Sequence, residues 1–164
     1  MLKDKIELDF KTAIKEQKTE VVSILRLIKT EVLNKEKNKR YKLTQENPGL
    51  SEIDIEQKSA LSEEEILDII NSRMKKGREA IAMFEKGNRA DLAEKEKKEL
   101  EILKKYLPEQ LPEEQVRVLA EAAVNEVGAK TMKDMGKVMA KLMPQVKGKA
   151  DGSLVSKIIK ELLS

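Results

Sequence analysis

The chain has 164 residues, with 33 Lys/Arg, 30 Asp/Glu, and no Cys, His or Trp. Those absences exclude disulfides, thiolate nucleophiles, Cys- or His-ligated metal centres and any triad that needs an imidazole base. Phe10, Tyr41, Phe84 and Tyr106 are the four aromatic residues, so aliphatic side chains and Met must build the core, in narrow helical stripes. No stretch approaches the 18 or so apolar residues of a membrane span, and the start, MLKDKIELDF, lacks the apolar segment of a signal peptide. A cytoplasmic protein with no membrane partner, no metal and no cofactor is the expectation.

The apolar spacing is helical nearly throughout, so the fold class is all-α. Leu2, Ile6, Phe10, Ala13 and Ile14 define a first helix over about Leu2 to Glu16. Val21, Ile24, Leu25, Ile28, Val32 and Leu33 define a second over about Glu20 to Lys39. The pattern then lapses, and residues 40–60, with the turn Asn47-Pro48-Gly49, read as an exposed polar excursion, with or without a short helical turn. Ser62-Glu63-Glu64-Glu65 is a capping sequence that opens a third helix, carrying Ile66, Ile69, Ile70, Met74, Ile81 and Phe84. Gly87 stands where a left-handed stop is expected. Asp91 is the expected cap of a fourth helix, whose apolar residues are Leu92, Leu100, Leu103, Tyr106 and Leu107 and which ends before Pro108.

Two prolines in Pro108-Glu109-Gln110-Leu111-Pro112 mark a hinge. It separates an N-terminal helical bundle, residues 1–107, from a small C-terminal unit of three helices, residues 113–164. Those helices are expected at about Pro112–Val127, stopping at Gly128, then Met132–Met143, stopping at Pro144, then Ser153–Leu163. Val116, Leu119, Ala120, Ala123, Val124 and Val127 should meet Met135, Val138, Met139 and Leu142, and these should meet Leu154, Val155, Ile158, Ile159 and Leu162.

Charge is unevenly spread. Residues 1–44 are net +5, residues 45–127 net −7 and residues 128–164 net +5. Basic ends can contact polyanions or be ordinary solvated faces. Lys133, Lys137 and Lys141 are four apart, on one side of a helix. Lys147 and Lys149 follow on a glycine-bearing loop that leads into a helix N-terminus, where backbone N–H groups favour an anion. Asp151 or Ser153 would compete for those donors as a cap. Gly148, Asp151 and Gly152 therefore carry either a structural or a functional reading.

The same stretch resembles the GatB/YqeY group. The resemblance rests on Arg89-Ala90-Asp91-Leu92-Ala93, Tyr106-Leu107-Pro108-Glu109-Gln110-Leu111, Gly136-Lys137-Val138-Met139 and Lys147-Gly148-Lys149-Ala150-Asp151-Gly152, and less specifically on Leu25-Arg26-Leu27-Ile28-Lys29. The chain departs from the family pattern at Ala140, where a glycine often follows GKVM, at Pro112, where a serine cap is usual, and in the longer 40–60 region. The resemblance implies a C-terminal helical unit of the GatB/YqeY type. It is similar to the tail that contacts tRNA in the B subunit of the tRNA-dependent amidotransferase, apart from the reaction centre. It also implies a carbon–nitrogen ligase label with glutamine as amide donor.

The residues do not supply that chemistry unaided. The serines lie on helices, at caps or at the terminus without an activating base, and no GxxxxGK[ST] phosphate cradle is present. The acidic clusters Glu63-Glu64-Glu65 and Glu94 to Glu101 read as first-turn charges and solvated faces. No catalytic residue is assigned. Three readings follow. The first is an RNA-binding accessory module, with tRNA or a tRNA–enzyme complex as partner. It uses Lys133, Lys137, Lys141, Lys147 and Lys149, extended by Arg26, Lys29, Arg73, Lys75 and Arg78. The second is amidotransferase-like activity within a complex. The third is a protein–protein adaptor using Met132, Met135, Met139 and Met143, of which Met135 and Met139 are expected in the core.

Overall fold

The computed structural model describes all 164 residues as eight α-helices, one 3-10 turn and no strand. The all-α expectation holds. The chain divides between Tyr106 and Leu107 into two compact units.

In the first unit α1 (Leu2–Lys15) packs on α2 (Thr19–Glu46). Gln17 breaks the two helices by adopting φ 57. The buried positions, Ile6 and Ala13 on α1 and Ile24, Leu25, Ile28 and Val32 on α2, follow the helical period. Two expected core residues stand out of it: Ile14 is 49% exposed and Leu33 50%.

The 40–60 region is more ordered than its sequence suggests. Helix α2 runs on to Glu46, and Glu52–Ser59 forms a further helix, α3, capped by Ser51, whose Oγ accepts from Asp54 N–H. It packs on α2 and buries Ile55, Ser59 and, just beyond it, Leu61. One apolar residue per turn suffices because the α2 surface is already in place.

Helix α4 (Glu63–Lys86) opens with the expected capping box: Ser62 Oγ accepts from Glu65 N–H, and the Glu65 carboxylate accepts from Ser62 N–H. Its stop differs from expectation. Gly87 is at φ −85, and the left-handed residue is Asn88 at φ 54. Helix α5 (Ala90–Lys104) is likewise not capped by Asp91; Arg89 occupies the cap position, and Asp91 in the first turn pairs with its guanidinium. Gly77 lets α4 and α5 approach: a Cβ there would lie 2.5 Å from Leu100 Cδ2 and 2.8 Å from Glu96 Oε1.

In the second unit α6 (Glu113–Val127), α7 (Met135–Val146) and α8 (Gly152–Leu163) all pack on one another. Gly128 ends α6 in the left-handed conformation. Residues 132–134 form the 3-10 turn that leads into α7. Pro112 precedes α6 as its cap. Helix α7 does not stop at Pro144 but continues to Val146, because Val146 is fully buried in the core. That core consists of Val116, Ala120, Ala123, Val138, Leu142, Val146, Val155, Ile158, Ile159 and Leu163, flanked by Leu119, Val124, Val127, Met135, Met139, Met143, Leu154 and Leu162.

Candidate nucleic-acid interface

Of the lysines singled out in the second unit, Lys137 and Lys141 are on α7 and Lys133, Lys147 and Lys149 are on the connections before and after it. Lys133 is in the 3-10 turn, exposed and without a carboxylate partner. Lys137 and Lys141 are one turn apart on α7. Each is ion-paired, Lys137 with Asp134 at 3.2 Å and Lys141 with Glu126 at 2.5 Å. The Lys137 ammonium, followed by the Lys130 N–H, holds the Asp134 carboxyl below the usual carboxylate range. Both lysines are exposed, although Asp134 itself is half-buried and also accepts from Lys130 N–H, and ion pairs of exposed lysines contribute little to stability, so a phosphate can exchange for either carboxylate at small cost.

The α7–α8 loop is built around backbone geometry. Gly148 is buried at φ 75, a conformation that costs any other residue, and Lys149 N–H donates to Val146 O. Leu111 N–H donates to Lys149 O at 2.7 Å, and Gln110 Nε2 donates to Gly148 O at 2.8 Å. The Gln110-Leu111 and Gly148-Lys149 segments, which carry two separate motifs in the sequence, are thus one hydrogen-bonded clamp. Asp151 caps α8 by accepting from Ser153 N–H at 2.7 Å, so its carboxylate already occupies the helix end that an anion would use. A Cβ at Gly136 or Gly152 would meet open space. Lys147 is half-buried and engaged within the protein, whereas Lys149 is exposed with no carboxylate partner.

Tyr106 and Leu107 straddle the division between the units, with Pro108 next in chain. The Tyr106 ring is buried, and its hydroxyl donates to Asp9 Oδ2 at 2.7 Å. Burial, with Asp9 beside it, pushes its pKa far above the ordinary value. Its role is to bind the end of α5 to α1.

The cations of the first unit separate into different environments. Arg73 is a correction to the expected RNA contacts. Its guanidinium is 13% exposed and lies 2.5 Å from Glu96 and 2.8 Å from Glu99, tying α4 to α5. Burial would lower its pKa, but the two carboxylates outweigh this and hold it above the ordinary value. Lys75 is exposed and without a carboxylate partner, and Arg78 is exposed but engaged within the protein. Arg26 and Lys29 stand over Phe10, at 6.0 and 4.2 Å from the ring centre. Lys29 also pairs with Glu7 at 2.5 Å, whereas Arg26 has no carboxylate partner. They line an open hollow of about 380 Å³ between α1 and α2, floored by Ile6, Phe10, Val32, Leu33 and Ile66.

Among the methionines, Met135, Met139 and Met143 flank the core and Met132 is 45% exposed. A joint Met132/Met143 docking patch is therefore not formed. No group of three or more Asp or Glu side chains is arranged to hold a metal ion. No helix is long and apolar enough to cross a membrane.

The family model for YqeY, described as Yqey-like protein, matches residues 47–163, most of the chain and all of the clamp. The chain belongs to the YqeY family. An uncharacterised protein of Schizosaccharomyces pombe is 38% identical over 63 residues, covering 37% of this chain and 51% of that protein, so the match spans about half of the relative's length. A second relative, from Pyrenophora tritici-repentis, is called altered inheritance of mitochondria protein 41, mitochondrial. It is 24% identical over 162 residues, or 97% of this YqeY-family chain and 79% of that protein.

Proposed function

We propose that this YqeY-family protein is an accessory module that binds RNA of the tRNA class through the phosphate backbone. The observation that carries the reading is the row along α7 in the second unit. Lys133 stands before the helix and Lys149 after it, both unpaired, and Lys137 and Lys141 between them are exposed and held only by exchangeable ion pairs. Residues 128–164 carry eight lysines against three acids, so the surrounding field favours a polyanion. The row offers ammonium groups without aromatic rings, which suits backbone contact rather than base readout.

The test is a salt series of binding to unacylated tRNA by the full chain and by the variant Lys133→Glu, Lys137→Glu, Lys141→Glu, Lys149→Glu. Each lost phosphate contact should reduce the log–log salt slope by about 0.7–0.9, so the fourfold variant should lose a slope of about 3 together with most of its low-salt affinity. Unchanged affinity and slope would remove the reading.

A further inference from the structure

The outward ridge of α2 is a second polar surface, in the first unit, and the lysine row does not account for it. Arg26, Thr30, Leu33, Lys37, Arg40, Tyr41 and Thr44 recur at spacings of three and four along a 28-residue helix; the first three border the α1–α2 hollow, and Lys37, Arg40, Tyr41 and Thr44 continue the ridge beyond it. The opposite side is the one that packs. Val32 is buried, Glu36 accepts from Lys3 and from Leu61 N–H, Lys39 pairs with Glu65, and Leu43 is half-buried. The ridge bears no carboxylate. Arg26, Lys37 and Arg40 on it are exposed and have no carboxylate partner.

Tyr41 is the exceptional residue there. It is 68% exposed, and neither its ring nor its hydroxyl has a partner. The other tyrosine, Tyr106, is buried and hydrogen-bonded to Asp9. A bare aromatic ring costs water contact and stabilises nothing within its own unit. Here it stands beside Arg40 and one turn from Lys37, two cations that cannot repel an anion-bearing ligand. An unpaired nucleotide matches both features, with a base face for the ring and phosphates for the flanking cations. The charge favours an anionic partner, and the bare ring beside it favours one that also offers a flat π-face.

We infer that the α2 ridge binds single-stranded RNA, with one base stacked on Tyr41 and the adjoining phosphates on Lys37 and Arg40. This rests on the RNA reading and adds a site for unpaired nucleotides in the other unit. Residues 37–41 precede the 47–163 segment that the family model matches.

The experiment titrates the full chain with an oligouridine of about twenty nucleotides and reads both RNA anisotropy and tyrosine emission, which no tryptophan obscures. Stacking should quench the exposed Tyr41 and spare Tyr106. Tyr41→Ala should weaken binding about 5- to 100-fold, as loss of one base stack does, while Tyr41→Phe should stay within about twofold. Lys37→Glu with Arg40→Glu should weaken binding and flatten its salt dependence. These side chains are exposed, so circular dichroism should match the parent. Unquenched emission with an unchanged Tyr41→Ala affinity overturns the inference, as does equal binding of duplex RNA, whose bases are not offered. If the fourfold lysine variant loses tRNA while Tyr41→Ala binds oligouridine normally, the ridge fails and the α7 row stands. The opposite pattern overturns the row and keeps the ridge, and no binding of either RNA overturns both. Capture of a polypeptide through Tyr41 without any response to oligouridine also overturns it.

Discussion

A glycine in the middle of a helix costs about 1 kcal/mol against alanine, so it needs a reason in the packing. Gly77 has one, because its missing methyl group is the space that Leu100 and Glu96 occupy. Gly77→Ala should destabilise the first unit by up to about 2 kcal/mol, the overpacking cost of about 1–3 less a gain of about 1 in helix propensity; urea unfolding followed by circular dichroism checks this. Glu65 shows electrostatics at the same scale. The Ser62 N–H and, after it, Lys39 hold its carboxyl below the ordinary value of 4.5, against the opposing effect of burial. Its contribution to stability is therefore present above pH 4.5 and is lost as pH falls through the lower folded value. Glu65→Gln should flatten the acid limb of the stability–pH curve, which thermal melts between pH 3 and pH 6 would show. The clamp at Gly148 was legible only as motif residues. That Gln110 and Leu111 bond to its loop depends on partners 38 residues away, which no local spacing specifies.

At the scale of elements, α3 shows how a weak sequence signal becomes a helix. Its apolar content is low, and eight residues are too few to be helical alone. Ile55 and the following Leu61 bury themselves on α2, and the Ser51 cap closes the first turn. Residues 40–60 are thus not simply an exposed polar excursion. Ile55→Ala should cost about 2–4 kcal/mol and remove hydrogen-exchange protection from 52–59 before it affects α4. Protection that survives the substitution would show that α3 does not depend on this contact. Pro144 makes the converse point. Its local preference ends a helix, but the burial of Val146 carries α7 one further turn. The helices with clear stripes, α4 and α8 above all, were legible because three- and four-residue spacing is a local property of the chain.

For the molecule as a whole, the division after Tyr106 leaves two hydrophobic cores, each formed from its own segment. The smaller core contains fewer buried residues and should unfold first. Ile158→Ala, at a fully buried position, should lower the earlier of two denaturant transitions by about 2–5 kcal/mol and leave the later one in place. A single transition moving as one would show that the units unfold together. The uneven charge of the chain also acts at this scale, since it sets the field around each unit rather than any single contact.

The sequence by itself determined all of the helices but α3, most of each core and the family, because apolar period, capping residues and short motifs act between near neighbours. Only the tertiary structure decided which cations are free. Arg73 met Glu96 and Glu99, and Lys141 met Glu126, whereas Lys37, Arg40 and Tyr41 met nothing. The charge of a lysine or arginine is written in its own side chain, but whether that charge is already neutralised depends on which distant carboxylate the fold brings within about 4 Å.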